Sequence, residues 1–499
     1  MIARPLVWSG ARTPPPMSFA FDHARRSLAF LLAAVLPVAL ASGCRESAPR
    51  AEEVIGSRPN VVLVVLCSFR PDRMGAMGYP RELTPFLDRL AAEGTLFEHA
   101  VSASSWTKPS TASLMTGLTP NVHGMLDFYH PERRQERWAR TGRTLERRVL
   151  PEGFETLPAA LARADYHTFC RVNNVHAGEF FGLTQGCEDE VTRHGLSTGR
   201  MIDELADWLD RRDGGDRPFF AYLFTRHVHS PFSPSYEAFR ALRPGVEDPP
   251  PEEFPDFRRG VDQEVRALRR KREPVPEPLR QAYVDLYDAQ LPELDRELSR
   301  LPALLEAAGA RSDTLVLVTG DHGERLFEDG GIDHGGVRLG EAVLRIPLVA
   351  WGAGVPAGRR VELVVRSIDV LPTLLELGGA EPPAVLQGES LVPLIWPGGG
   401  EPRERSAFAS AGGSSHAVRL GRYKLRVRRG GGRELYDLAA DPWERRDLLA
   451  EEPRTARRLE RELERWLEQE KALAQAVAQA STRELPPEVL EELRALGYL

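Results

Sequence analysis

The 499-residue chain has little net charge, −7 with histidine neutral, and without a basic excess it carries no electrostatic footprint for nucleic acid. It has no internal repeat, which excludes a solenoid or a propeller. It has no long apolar run of clear transmembrane character: the longest, SLAFLLAAVLPVALASGC, is short and quickly followed by polar chain. Cysteine is scarce: Cys44, Cys67, Cys170 and Cys187 are all there are. What remains is a globular composition, 42% hydrophobic and 27% charged. The length exceeds one compact core, so a large α/β unit with an appended subdomain, or two domains, is expected.

The apolar run follows Arg25 and Arg26 and ends in Leu40-Ala41-Ser42-Gly43-Cys44. It reads as an export signal, and its end resembles the lipobox of bacterial lipoproteins, with Cys44 the residue to be acylated. The expectation is an exported protein, periplasmic or at the cell surface of a bacterium, held to the membrane by an N-terminal lipid; a plain cleaved signal or an uncleaved anchor is the alternative. An oxidising compartment permits disulfides. Cys170 and Cys187 are close enough in sequence to close a modest loop, and a pair of buried free thiols is the equal alternative.

From Asn60 onward the pattern is that of alternating strands and helices. NVVLVVL (60–66), FFAYLF (219–224), TLVLVTG (314–320) and IPLVAWG (346–352) are continuous apolar runs of the kind buried on both faces of a parallel sheet. Helical periodicity fills the segments between, as in TPFLDRLAAEGTLF and LRQAYVDLYDAQLPELDRELSRLPALLEAAG. This predicts a doubly wound α/β sheet. Two inserts, HPERRQERWARTGRTLERR and the Pro- and charge-rich piece from Gly245 to Pro278, read as solvated loops or lids, with an anionic-partner site as the alternative. YKLRVRRGGGRELYDL reads as a hairpin of a small C-terminal subdomain. The expected divisions are 1–44 signal and lipobox, 45–58 linker, 59–395 catalytic domain, 396–465 C-terminal subdomain and 466–499 helical tail.

Ligands of open α/β sheets gather at the carboxyl ends of strands. There the sequence has Cys67 and Asp72, then His227 and His229, then Asp321 and His322, then His334. Converging carboxylates and imidazoles are what a divalent-metal site needs. Each also has a structural reading: Asp321 as a helix cap, His227 or His229 as a core histidine, Asp72 as a turn residue. In SSWTKPSTASLMTG (104–117), Thr107 stands two residues before Pro109, a first-turn residue, so it is either a helix cap or a nucleophile at a helix N-terminus that favours anions. Lys108 beside it either neutralises an anion or points into solvent. His123 reads as a structural residue near a helix end.

RPNVVLVVL followed by GYPRELTPFLDRLAAEGTLFEHAVSASSWTKPSTASLMTGLTPNVHG resembles the N-terminal signature of the sulfatases, within the alkaline phosphatase superfamily. VTGDHGERL with DHGG resembles their second metal-binding segment, and IDVLPTLLELGG, LQGESLVPL and YKL with ELYDLAADPWERRDLL resemble later landmarks. The resemblance covers residues 58 to 450. It implies an alkaline-phosphatase-like doubly wound mixed sheet flanked by helices, with a small C-terminal α+β subdomain. It implies hydrolysis of a sulfate or phosphate ester of a small molecule or glycan and one divalent metal ion, calcium by resemblance, with zinc or manganese as alternatives. Asp321 and His322 match late metal ligands; His229 and His334 match positions that contact ester oxygens or protonate the leaving group.

The chain departs from the family pattern in three places. Thr107-Lys108-Pro109-Ser110-Thr111 stands where the family's Cys/Ser-x-Pro-Ser-Arg motif generates formylglycine. Threonine cannot yield formylglycine, and the arginine is absent, but threonine is the direct nucleophile of superfamily relatives that cleave or transfer phosphate esters. Third, Cys67 stands where the first strand ends in a metal-binding aspartate, so the metal is changed, the coordination is rearranged onto Asp72, or the site is lost. Two other functions stay open: a degenerate module binding sulfated or phosphorylated glycans, and a phosphoryl-group transferase.

Overall fold

In a computed structural model, NVVLVVL is the centre of a nine-stranded sheet. The structure describes residues 51–126, 146–152, 154–212, 217–246, 249–398, 403–428, 430–477, 481–484, 486–489 and 491. The strands are β1 (Asn60–Leu66), β2 (Thr95–Val101), β3 (His167–Val172), β4 (Asp189–Thr192), β5 (Phe219–Thr225), β6 (Thr314–Gly320), β7 (Arg345–Ile346), β8 (Leu348–Gly352) and β9 (Arg359–Arg366). In order, β4, β3, β5, β1 and β6 run parallel. Strand β8 joins β6 antiparallel, and β2 pairs antiparallel with β8 and β7, which flank Pro347. Strand β9 closes the far edge parallel to β2. The sheet is therefore mixed, as the resemblance implies.

Strand β1 shows why its run is continuous. Val62, Val64 and Leu66 enter a core with Leu87 and Leu90 of the helix Pro85–Glu93 and Leu205 of Thr198–Arg211. Val61, Leu63 and Val65 enter the opposite core with Leu161 and with Leu371 and Leu374 of the helix Val370–Gly378. Side chains alternate across a strand, so a strand covered by helices on both faces must be apolar throughout. Each such side chain contributes roughly 1.5–3 kcal/mol by leaving water, and Leu63→Ala would cost about 2–5 kcal/mol.

The C-terminal region forms a second, antiparallel sheet of β10 (Ser406–Ala411), β11 (Ser415–Leu420), β12 (Tyr423–Val427) and β13 (Arg433–Asp437), covered by the helix Pro453–Ala476. Strands β12 and β13 are the expected hairpin. Buried Glu341, following β6, joins the two sheets by accepting from Lys424 Nζ at 2.7 Å and Arg419 Nη1 at 3.0 Å. The long helix begins well before residue 466, and Ser481–Glu484 pairs with Glu146–Val149 as a two-stranded sheet.

Other local expectations are corrected. Ala51–Ser57, within the expected linker, is a helix. Within the 245–278 insert, expected as a solvated loop or lid, Phe254–Lys271 is an amphipathic helix whose Phe254, Val261 and Val265 are buried, a spacing that hides one face beneath many charges. Of the two alternatives for Cys170 and Cys187, the disulfide is the one formed. The signal, the lipobox with Cys44 and most of the Arg-rich insert lie outside the described residues. Among the described residues no helix is long and apolar enough to cross a membrane.

Candidate active site

Strand β1 delivers Cys67 to a fully buried position, its N–H donating to Thr225 O at 2.9 Å. The next residue, Ser68, turns the chain with φ 61°, a left-handed conformation seldom adopted by non-glycine residues. Tyr287 braces that turn: its hydroxyl donates to Ser68 O and accepts from Arg70 N, both at 2.9 Å. Strand β6 delivers Asp321 and His322, also fully buried. The short hairpin Arg325–Leu326 with Ile332–Asp333 then brings His334 back beside them, 4.3 Å between its ring and that of His322. His229, after β5, lies 4.8 Å from His334 by ring centroids.

The fourth contributor is the helix Thr107–Thr116. Its N-cap is Trp106, and Thr107 is the first helical residue. The cap reading is thereby overturned: the Thr107 hydroxyl lies 3.2 Å from His322 Nε2 and 3.6 Å from Cys67 Sγ. The helix ends at Gly117, φ 66°, where a Cβ would meet Leu386 Cδ1 at 2.5 Å, so glycine is required. Its approach, Ser102–Trp106, is fastened on two sides. Ser102 Oγ donates to Asp321 O at 2.5 Å, while Ser104 Oγ donates to Ser410 O at 2.8 Å and Ser410 N to Ala103 O at 3.0 Å.

Cys67, Asp321 and His322 offer three donor atoms within 4.8 Å of one another. Asp321 Oδ1 accepts from His322 N at 2.7 Å and Ser68 N at 3.3 Å, whereas buried Oδ2 has no hydrogen-bond partner. His322 Nδ1 lies 2.8 Å from the Gly323 carbonyl, which puts the proton on Nδ1 and the lone pair on Nε2. An orphaned carboxylate oxygen, an imidazole lone pair and a sulfur meeting in a buried space fit a divalent cation. They suit the expected calcium poorly, because a thiol is a weak donor to a cation that seeks oxygens.

Burial pushes Asp321 up to about 6 and, with Asp321 beside it, pushes the Cys67 thiol well up. Burial and the charge of His334 hold His322 and His229 well below the usual imidazole range. His334 differs. Burial alone would lower it, but the Glu324 carboxylate, 2.9 Å from Nδ1, raises it above that range.

The structure thus brings together Thr107, Cys67, Asp321, His322, His334 and His229. It does not bring Asp72 there. That carboxylate is held by Arg70, from Nε at 2.7 Å and Nη2 at 3.0 Å, and a bidentate partner leaves it poorly placed to ligate. Lys108 is fully buried, its Nζ donating to Arg148 O at 3.2 Å and lying 4.6 Å above the Phe181 ring, which removes the solvated reading. His227 turns toward Thr198 and Glu293. His123 bonds Ser113 Oγ at 3.0 Å and is structural, as read. Two participants escape the sequence reading. Glu324 is the last letter of DHGE and stands in plain view as a carboxylate ten residues before His334. Arg266, on the helix Phe254–Lys271, bonds Asp333 at 2.6 and 2.8 Å and Ser230 Oγ at 2.7 Å, tying the two histidine loops together; no local signal marks it.

The family model for sulfatases matches residues 59–380, and that for the C-terminal part of N-sulphoglucosamine sulphohydrolase matches 338–472. An N-acetylgalactosamine-6-sulfatase of Canis lupus familiaris is 27% identical over 447 residues, covering 78% of this chain and 76% of the relative. The multifunctional alkaline phosphatase superfamily protein PehA of Trinickia caryophylli is 28% identical over 417 residues, covering 68% and 77%. Among solved structures, BT4656 in complex with D-glucosamine-2-N,6-O-disulfate superposes with TM-score 0.67 at 20% identity, covering 83% of this chain and 98% of that one. The phosphonate monoester hydrolase of Agrobacterium radiobacter does so at 0.61 and 22%, covering 83% and 96%. These structural likenesses are of fold.

Proposed function

The chain belongs to the sulfatase family, and from that premise we propose that it is an exported, lipid-anchored, metal-dependent hydrolase of phosphate or sulfate esters of small molecules or glycans, with residues 59–395 as its catalytic domain and Thr107 as nucleophile. The observation that carries this reading is the Thr107 hydroxyl, which caps nothing and points between Cys67 Sγ and His322 Nε2.

Cys67, Asp321 and His322 would hold the cation, which when bound supplies a Lewis acid that lowers the pKa of the adjacent hydroxyl. As Thr107 Oγ attacks phosphorus or sulfur its hydroxyl proton passes to water, and the oxygen regains a proton when the threonine ester is cleaved. A new Oγ bond forms, the ester bond breaks, and its electron pair leaves on the ester oxygen. The N-terminal end of the helix Thr107–Thr116 carries the positive end of its dipole, which favours an anion in this position. His334, kept proton-rich by Glu324, gives its proton to the departing oxygen and afterwards takes one from the water that cleaves the threonine ester. Neutral His229 stands beside it to orient the ester oxygens.

Phosphate esters are the favoured class. A threonine ester lacks the geminal hydroxyl through which formylglycine expels sulfate, so release must come from water attacking the central atom. The test is hydrolysis of nitrophenyl phosphate, bis-nitrophenyl phosphate and nitrophenyl sulfate by the purified full chain and by Thr107→Ala. Phosphate-ester turnover that the variant loses supports the reading. Silence toward all three substrates, or equal rates in both proteins, rejects it in favour of a binding module.

A further inference from the structure

We infer that the cluster of Cys67, Asp321 and His322 is built for a thiophilic divalent cation, zinc(II) rather than calcium(II), with Cys67 as its sulfur ligand; this rests on the reading above that the cluster is the hydrolase's metal site. The cluster is short of oxygens. Asp321 Oδ1 is already engaged by two backbone N–H groups, so Asp321 has one unpartnered oxygen, Oδ2, to give. Asp72, the other carboxylate after β1, is engaged by Arg70. Calcium takes roughly six to eight oxygens. Among the described residues the cluster that could hold a metal is one sulfur, one nitrogen and one carboxylate.

The same residues meet zinc's requirements one by one. Zinc at reactive sites takes three protein ligands and keeps one position open, and here three ligands leave the Thr107 hydroxyl beside the opening. The imidazole is oriented for it: Nδ1 is committed to the Gly323 carbonyl and Nε2 faces inward, 3.4 Å from Asp321 Oδ2. The sulfur faces the same space: Cys67 is fully buried, and its Sγ lies 3.6 Å from the Thr107 hydroxyl and within 4.8 Å of the donor atoms of Asp321 and His322. Charge also balances, since a thiolate and a carboxylate together neutralise a dication in a buried space. Cysteine in place of aspartate thus keeps the ligand's charge and changes its softness.

The experiment titrates the metal-free full chain, in a Cys44→Ser background, with zinc(II), calcium(II) and cobalt(II) salts alone, following metal content by elemental analysis and the cobalt complex by absorption. Zinc retained against excess calcium, with a near-ultraviolet thiolate-to-cobalt band, is the expected result. Cys67→Ser should abolish the band and weaken zinc binding by at least about 100-fold, and His322→Ala should weaken it similarly with the band altered. Calcium held more tightly than zinc, or a cobalt spectrum without the thiolate band in the parent chain, overturns the inference even if the Cys67 variant fails to fold. Zinc bound with the band by a chain that hydrolyses no ester would reject the hydrolase reading and leave this one standing. Calcium-dependent hydrolysis without the band would do the reverse.

Discussion

Glu324 Oε2 lies 2.9 Å from His334 Nδ1, and the carboxylate is fully buried. This contact sets three neighbouring imidazoles apart: burial and the charge of His334 hold His322 and His229 well below the usual range, while Glu324 raises His334. Glu324→Gln keeps the shape and removes the charge. Hydrolysis of esters with poor, alkyl-type leaving groups is expected to slow by roughly 10- to 100-fold, while nitrophenyl esters, whose oxygen leaves without a proton, change little. A kinetic series across leaving groups checks this; an equal loss along the whole series would take His334 out of the role of proton donor.

Thr107→Ala is expected to lower ester hydrolysis by at least about 1,000-fold. Its melting temperature should stay close to that of the parent, because alanine is a better helix former and no cap is lost. Thr107→Ser, which keeps the hydroxyl, should retain measurable turnover. A dead serine variant beside a stable fold would mean that the hydroxyl alone does not account for the residue.

Much of this arrangement was legible in the sequence, for a reason particular to parallel sheets. Strands covered on both faces advertise themselves as apolar runs, and the residues that follow them are carried to one edge, so Cys67, Asp321, His322 and His229 could be placed together before any coordinates. Asp72 misled because its fate depends on Arg70, two residues away, whose buried side chain also serves Glu328 and the Glu324 carbonyl. Arg266 was invisible for the opposite reason. It reaches the site from a helix within a charge-rich insert, and only the three buried apolar residues of that helix, Phe254, Val261 and Val265, betray it.

Arg266 yields a further expectation. Asp333, immediately before His334, has φ 63° and is held by both guanidinium nitrogens. Arg266→Ala should lower kcat by about tenfold by freeing the histidine loops, with KM nearly unchanged. The ion pair is partly exposed, so stability should fall by no more than about 1 kcal/mol. Arg266→Lys, which cannot span Asp333 and Ser230 with a planar fork, should rescue stability better than kcat. A variant in which stability falls and kcat does not would show Arg266 to be structural only.

Glu341 makes stability depend on acid. Burial alone would raise its pKa, but Lys424 and Arg419 outweigh it and hold the carboxyl at about 2. A folded-state value below the unfolded one means that the stabilisation is complete above the ordinary carboxylate range and is lost as pH falls toward 2. The loss expected from this group is roughly 3 kcal/mol. Glu341→Gln should be less stable at neutral pH by roughly 3–5 kcal/mol and should show a shallower loss in acid. Denaturant unfolding at several pH values checks both, and parallel curves for the two proteins would contradict the assignment.

The disulfide between Cys170 and Cys187 spans 17 residues. A loop of that size is worth about 3 kcal/mol, and the Cys170→Ser, Cys187→Ser double variant should lose about that much in chemical denaturation. A reducing buffer should bring the parent down to the same midpoint.

The fastening of Ser104 to Ser410 joins residues 306 positions apart, and it bears on timing. A ribosome completes the helix that carries Thr107 long before it reaches strand β10, so the growing polypeptide holds that helix while the segment that steadies its entry does not yet exist. The entry to the helix is therefore fastened only with the last fifth of synthesis. A polypeptide ending before Ser410 carries every residue of the cluster and lacks the carbonyl that holds Ser104.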